Sequence, residues 1–442
     1  MPLITSQEVD ERLEELYGLV ADEENARSCR DLDQSACRWV PRNFFIYLVS
    51  QTLTNLGDAL SSPKTVLTWV MASVGAPTAM IALLVPIRES GSMLPQLALG
   101  GWVRNRPLRK PVWLIGSALQ GLAVVVCGLA ALQLQGRAAG LVILAGVVAF
   151  SLARSLNSIA SKDIVGKTIP KGRRGRLGGW SAGLSGIFTL GVGAWFTFGI
   201  QGDQDTVFYA GLLFAAGALW FLSMLVFSGL QEFPGETAGG VNGWKSAWQS
   251  IDLVRTDAPF RRFVLTRSLL LCSALTAPFY VVLARQNGEG TAAMLGIFMI
   301  SGGLASSISA PIWGTMADSS SRRVMIFAAT LTGVLGVVAF CLTRWAPGLS
   351  RTAWLFPLFF FALGVAHAGV RAGRKTYLVD LAGGVKRTDY VAVSNTLIAV
   401  VLLVMGAQTS LFSFLEPAEI ILGLSLLGLG GAVLAGSLPE VQ

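Results

Sequence analysis

Long apolar segments separated by short polar ones make up most of the chain, and this pattern constrains the fold more than any other feature. A helix needs about 20 apolar residues to cross a bilayer, and a spanning segment must satisfy its own backbone hydrogen bonds. The sequence therefore predicts an all-α integral membrane protein with twelve transmembrane helices. The predicted spans are 44–62, 77–101, 112–132, 139–160, 177–199, 207–228, 263–283, 292–315, 324–343, 353–372, 391–413 and 418–437.

The charge content fits a lipid environment better than an aqueous one. Charged residues are 14% of the 442 and hydrophobic residues are 53%, whereas soluble proteins carry about 25% charged residues. A net charge of +8 could indicate a nucleic-acid binder, but the basic residues recur between the apolar segments and form no single patch. This distribution predicts contact with the lipid bilayer and argues against a nucleic-acid partner.

The distribution of Lys and Arg predicts the orientation of the chain. Most lie in the loops after even-numbered spans, whereas the loops after odd-numbered spans hold only Lys64, Arg137, Arg285, Arg344 and Arg351. Basic loops stay in the cytoplasm, so both termini are predicted to be cytoplasmic. The N-terminal region is polar and acidic, so we expect no cleavable signal peptide, which suits a bacterial cytoplasmic (inner) membrane.

An internal repeat divides the chain into two halves. The loop Gly101–Lys110 recurs as Gly314–Arg323, 213 positions later, and residues 153–162 recur as 366–375 at the same offset. Two motifs in one register predict two pseudo-symmetric six-helix halves related by an axis along the membrane normal.

The repeat also sets the boundaries of the remaining segments. A helical spacing of Trp244, Trp248, Ile251 and Val254 predicts an amphipathic helix at the membrane surface between the halves. The predicted parts are an N-terminal cytoplasmic tail (1–43), the first half (44–228), a cytoplasmic linker with this helix (229–260), the second half (261–437) and a C-terminal tail (438–442).

The repeated loop resembles a motif of the major facilitator superfamily, in which a Gly is followed four residues later by an acidic residue and then by a basic pair. The first copy contains Gly101, Asn105, Arg109 and Lys110, and the second contains Gly314, Asp318, Arg322 and Arg323. The resemblance implies that fold and a motif that gates the cytoplasmic side. The first copy departs from the family, with Asn105 in place of Asp. Alternatively, the basic residues only set the topology.

Ionisable residues inside the predicted spans are the strongest candidates for function. Asp58, Glu89, Arg88, Arg154 and His367 lie well inside apolar segments. Such a group costs about 2.5–3.5 kcal/mol or more in a bilayer, so it is expected to face a polar cavity or a partner. Glu89 is the first candidate for a coupling proton, and Asp58 is the second.

Polar residues at helical spacing extend these positions into stripes. Gln51, Asn55, Asp58 and Ser62 share one face of the first span. Similar stripes in the second, fourth and tenth spans predict one cavity between the halves. The candidate cavity residues are Arg88, Arg154, Asn55, Gln51, Ser92, Gln96, Asn157, His367 and Arg371.

Arg154 and His367 occupy equivalent positions in the two halves, since they differ by the repeat offset. They could face each other as a clamp for an anionic group. The alternative is that each pairs with the protein, Arg154 with Asp58 or Glu89 and His367 with a backbone carbonyl.

The surroundings of Arg154 resemble the fourth-helix motif of drug/proton antiporters, with Asn157 in place of Gln and Ser158 in place of Gly. That resemblance implies proton coupling and export. The fifth predicted span has several Gly residues but lacks the Gly-Pro pair of those antiporters.

Together these observations predict a secondary active transporter that moves a small solute by alternating access, coupled to protons, with export as the favoured direction. A receptor or membrane assembly factor of the same fold is the alternative. The chain shows no metalloprotease, hydrolase or Cys/His motif, so it is not expected to be an enzyme or to hold a metal or cofactor. We expect a monomer.

Overall fold

The computed structural model describes residues 12–18, 34–200, 204–235, 237, 252–287, 291–382 and 387–441. These residues form helices and connecting turns, without a strand among them. In this described part of the chain, ten helices are long and apolar enough to cross a membrane. Of the other two predicted spans, 44–62 corresponds to the continuous but less apolar helix Val40–Leu60, and 77–101 corresponds to two helices, Thr78–Met93 and Pro95–Arg104.

The first half contains eight labelled helices, and the seventh continues as a π-helical turn at Trp195–Gly199. They are α1 (Val40–Leu60), α2 (Val66–Ser73), α3 (Thr78–Met93), α4 (Pro95–Arg104), α5 (Lys110–Gln133), α6 (Gly136–Thr168), α7 (Lys171–Ala194) and α8 (Thr206–Ser228).

The second half repeats this order, and its first span is divided into three short helices. The helices are α9 (Ala258–Leu269), α10 (Cys272–Leu275), α11 (Ala277–Asn287), α12 (Ala292–Ser319), α13 (Ser321–Trp345), α14 (Leu355–Ala382), α15 (Arg387–Leu411) and α16 (Pro417–Gly436). Unlabelled short helices lie at 12–18, Gln34–Cys37, Asp252–Thr256 and Pro347–Ser350.

One predicted segment lies mostly outside the described residues, and another differs from the sequence-based expectation. Within the predicted linker, Trp244, Trp248 and Ile251 lie outside the described residues, and Val254 lies in the short helix Asp252–Thr256. The sequence contains Cys29 and Cys37 in the predicted cytoplasmic tail, where pairing is not expected because disulfides are rare in the cytosol, but Cys37 is disulfide-bonded. The cytoplasmic position of this terminus is therefore a proposal.

The first span is broken by Ser61–Thr65, and this corrects the prediction that Lys64 lies in an external loop. Pro63 has no N–H to donate to the helix, and its carbonyl accepts from Thr68 Oγ1 at 2.7 Å. After the break, α2 is covered by protein, since Trp69 and Val70 are fully buried. Lys64 is thereby held inside the bundle.

The halves contact each other through two equivalent helix pairs. α3 packs against α15, and α7 packs against α12. By the repeat offset, α3 corresponds to α12 and α7 to α15, so the two contacts are related by the predicted pseudo-two-fold axis. Gly406 lies against Pro86 at the first contact, and Gly296 lies against the Gly193 carbonyl at the second.

The halves separate towards the other end of α7. Gly183 lines the space between them. Gly179 and Gly175 continue the same helical face one and two turns away, and no atom of the described residues lies within reach of a Cβ added at either. The space therefore opens towards the end that carries the repeated loops, which is the predicted cytoplasmic side.

Replacing Gly296 with Val is expected to shift the protein away from this conformation, since the new Cβ would lie 2.5 Å from the Gly193 carbonyl oxygen. Spin labels at Phe198 and Phe414, which are 80% and 78% exposed in different halves, should report a longer distance. Gly423→Val is the matched control, because Gly423 faces open space in a helix. An unchanged distance in Gly296→Val would show that this contact does not hold the end closed.

Candidate substrate site between the two halves

Asp58 lies between two arginines inside the first half. Its Oδ1 is 2.7 Å from Arg88 Nη2, and its Oδ2 is 2.7 Å from Arg154 Nη1. The Arg88 guanidinium lies 4.0 Å from the ring centroid of Phe150, a cation–π contact. Arg154 is therefore engaged by the protein, as in the alternative interpretation, and does not face His367 as a clamp.

Glu89 follows Arg88 in α3 but lies outside this cluster, because successive helical residues point about 100° apart. Its side chain interacts electrostatically with Lys64 in the broken span and with Arg374 on α14. No cation lies within ion-pair distance of its carboxylate among the described residues. Glu89 is thus the carboxylate that faces the second half.

Lys64 and His367 bring the two halves together at the centre. Lys64 Nζ lies 3.3 Å from His367 Nε2, and His367 Nδ1 lies 3.0 Å from Ser273 Oγ. An ammonium can only donate, so Nε2 accepts and Nδ1–H donates to Ser273, which in turn donates to the Leu270 carbonyl at 2.9 Å. His367 therefore pairs with two side chains rather than with a backbone carbonyl.

A cavity of about 650 Å³ lies at this junction. Its size falls within the range of about 300–1,000 Å³ that is usual for small-molecule sites. The first half contributes Asn55, Ser62, Lys64 and the Gly-rich face of α7, and the second half contributes Ser273, His367, Arg371 and parts of α12 and α14. No carboxylate lies among the described residues that line the cavity.

Several predicted cavity residues make contacts elsewhere. Asn157 donates to Ser117 at 2.8 Å and is buried between α6 and α5, so its place on the stripe of Arg154 does not bring it to the cavity. Ser92 donates to the Glu89 carbonyl within α3, and Gln96 at the start of α4 donates to the Ser92 carbonyl at the end of α3. Gln51 donates to Asn55, which does line the cavity.

The first copy of the repeated loop is fastened to the end of its own half. The Arg109 side chain forms an ion pair with Asp163 at 2.8 Å. Glu232, just after α8, accepts from the backbone N–H groups of Arg109 and Lys110 and pairs with Lys167 at 2.6 Å. Asn105 is exposed, so the basic pair, and not the missing acidic position, carries the contacts.

The second copy makes an equivalent contact in the second half. Arg322, which corresponds to Arg109 by the repeat offset, pairs with Glu440 at 3.2 Å and donates to the Leu438 carbonyl. The backbone N–H of Arg323 is capped by Ser320. No atom of the described residues lies within reach of a Cβ added at Gly314, whereas the surroundings of Gly101 and the side chain of Asp318 lie outside the description.

Sequence reasoning missed Lys64, Ser273 and Glu232 as contributors. The run Ser61-Ser62-Pro63 could have indicated a break within a span, because Pro interrupts a helix. Ser273 and Glu232 carry no comparable signal, since they acquire partners only through contacts between distant segments.

The fold and a central cavity between two repeats define a membrane transporter. The model of the Major Facilitator Superfamily matches residues 45–407, and the chain belongs to this superfamily. Relatives include the uncharacterized protein Rv2209 of Mycobacterium tuberculosis and the uncharacterized protein Mb2232 of Mycobacterium bovis. Each is 23% identical over 370 residues, covering 83% of this chain and 71% of the relative.

Solved structures of transporters share the fold. A D-xylose-proton symporter aligns with a TM-score of 0.65 and 14% identity, over 90% of this chain and 99% of that one. The nucleoside transporter NupG aligns with a TM-score of 0.66 and 12% identity, over 89% and 98%. The inward-open xylose transporter XylE from E. coli aligns with a TM-score of 0.66 and 12% identity, over 90% and 96%.

Proposed function

We propose that this chain moves a small solute across the membrane by alternating access, coupled to protons. The observation that carries this proposal is the cavity between the halves, which is closed where Gly193 meets Gly296 and open towards the repeated loops. Rocking of the halves about the cavity would exchange the closed and open ends.

Glu89 is the proposed coupling site. A carboxylate inside a membrane protein is costly unless it has a function or a partner, and the adjacent Arg88 is already engaged by Asp58. Protonation of Glu89 would change the charge opposite Lys64 and Arg374, and therefore the charge at the cavity. Asp58 ranks second as a coupling site, because both of its carboxylate oxygens already bind guanidinium groups of the protein.

The same proposal includes export as the direction of transport, a bacterial cytoplasmic membrane as the location and a monomer as the functional unit. Export rests on the resemblance around Arg154. In the predicted orientation the cavity opens to the cytoplasm, where an exporter loads its solute and an importer releases it. The strong Lys and Arg bias of alternate loops supports a bacterial cytoplasmic membrane with both termini inside.

The test is solute flux into liposomes that contain the purified chain, with a pH gradient and a mixture of metabolites analysed by mass spectrometry. At least one solute should move faster than in protein-free liposomes, and its flux should depend on the gradient. A solute that stabilises the protein against heat but never crosses would instead identify a receptor or an assembly factor.

A further inference from the structure

The cavity carries an excess of positive charge. Lys64 and Arg371 line it, beside the imidazole of His367, and no Asp or Glu is among the described residues that line it. Asp58 lies outside this lining and is held between two arginines. Glu89 is thus the carboxylate available to balance several cations near the junction of the halves.

Lys64 has donors left for a ligand. Its ammonium carries three N–H groups, and in the described part of the chain one of them is used, towards His367 Nε2. Holding this lysine in a helix break places its charge on the wall of the cavity rather than in lipid. The tautomer of His367 is fixed by the bonds to Lys64 and Ser273, so the imidazole orients the ammonium without neutralising it.

Arg371 adds a second free cation on the opposite wall. It is exposed to the cavity, and its guanidinium forms no ion pair among the described contacts. Arg374 lies one helical turn further along α14, and both arginines interact electrostatically with Lys64. Cations so close together repel one another, and a bound anion would relieve this repulsion.

The other end of the cavity is apolar. Phe298 and Phe360 meet edge to face with their ring centroids 5.2 Å apart, and Met299 and Leu363 lie beside them in the lining. Along α14, Phe360 precedes His367 by seven residues, or about 10 Å of helix. A ligand that spans the cavity would therefore meet aromatic rings at one end and cations at the other.

We propose that the transported solute is an amphipathic organic anion, whose carboxylate or similar group binds Lys64 and Arg371 and whose apolar body lies against Phe298 and Phe360. This inference rests on the proposed transport function and names its substrate class. We expect this anion to be a dissolved solute rather than an anionic lipid. The cavity has a limited volume, and its lining contains glycines and hydroxyl side chains as well as the cations.

The test compares three probes that share one body: 4-phenylbutyrate, 4-phenylbutanol and 4-phenylbutylamine. Binding is measured by thermal shift on the full chain in phosphatidylcholine nanodiscs, and flux is measured with the same probes in liposomes. Only the carboxylate should stabilise the protein. Lys64→Gln and Arg371→Gln should each weaken its binding by about tenfold to a hundredfold, the usual range for a lost charge-assisted hydrogen bond.

Arg137→Gln is the matched control, because Arg137 is exposed at the start of α6 and does not line the cavity. The affinity of this variant for 4-phenylbutyrate should equal that of the wild type. Circular dichroism and size-exclusion profiles establish that the variants fold, and Arg371→Lys, which keeps the charge, should retain most of the binding.

Each outcome decides the proposal. Preference for the alcohol or the amine, no stabilisation by any of the three, or equal binding by Lys64→Gln, Arg371→Gln and the wild type would overturn it. A shift from added phosphatidylglycerol and not from phenylbutyrate would also overturn it and place a lipid headgroup in the site. Binding of phenylbutyrate without flux would support the anion site and count against transport. Flux of a solute that is not an anion would support transport and count against the anion site.

Discussion

Replacing Glu89 with Gln is expected to remove most of the stimulation of solute flux by a pH gradient while leaving exchange at equal pH intact. Gln cannot take up or release a proton, but it keeps the size and the hydrogen-bonding groups of the side chain. Coupling between two ligands is usually 5- to 150-fold in affinity, so we expect a loss of gradient-driven flux of about that size. The measurement is flux of the solute with and without the gradient.

Glu419→Gln is the control for this experiment. Glu419 is an exposed carboxylate in the capping box of α16, and Gln serves equally at that position. Gradient-driven flux should be unchanged in Glu419→Gln. If it were also unchanged in Glu89→Gln, the coupling proton would bind elsewhere, and Asp58 would be the next site to test.

The surroundings of Glu89 also bear on the direction of transport. Protonation removes a negative charge that faces Lys64 and Arg374, which would strengthen their attraction for an anion. Binding of the proton and binding of an anionic solute would then favour each other. This linkage suits movement of both in the same direction, and so uptake, in contrast to the export that the resemblance around Arg154 implies.

Asp58→Asn is expected to destabilise the protein strongly. The substitution leaves Arg88 and Arg154 facing each other without the carboxylate that binds both at 2.7 Å. Removing one partner of a fully buried pair costs about 3–5 kcal/mol. These side chains keep 15–28% exposure, so we expect about 2–3 kcal/mol. The measurement is thermal and denaturant-induced unfolding in detergent, together with flux.

A double variant identifies the cause. Adding Arg154→Gln to Asp58→Asn removes one of the two unpaired cations, so the double variant should be less destabilised than the sum of the single variants. Additive effects would show that Asp58 does not act through these arginines. Normal stability with loss of gradient-driven flux would make Asp58 the proton site.

The architecture was accessible from the sequence because its strongest signals are local or periodic. Apolar length indicates helices, and the repeat at 213 positions predicted two equivalent halves, which the packing of α3 on α15 and of α7 on α12 matches. The broken first span was not predicted, because its short second part, Val66–Ser73, is covered by protein and carries no separate signal of membrane-spanning length.

The site was less accessible, since it depends on which face of each helix meets which neighbour. Spacing placed Asn157 on the same stripe as Arg154. The two side chains nevertheless point to different neighbours, because Arg154 pairs with Asp58 and Asn157 contacts α5. Lys64 and His367 are 303 positions apart, and no periodicity links them. The charges inside the spans were informative because their cost in lipid demands a partner, although the sequence could not identify each partner.

Glu232 and Glu440 have a mechanical consequence. Each fastens the segment after the last helix of its half to a basic residue at the start of the third span of that half. These ion pairs and hydrogen bonds make the segment after the last helix part of the same half as the helices that precede it. If the halves rock as proposed, each would move as one body fastened at its own end, and the motion would be concentrated at the glycine contacts between them.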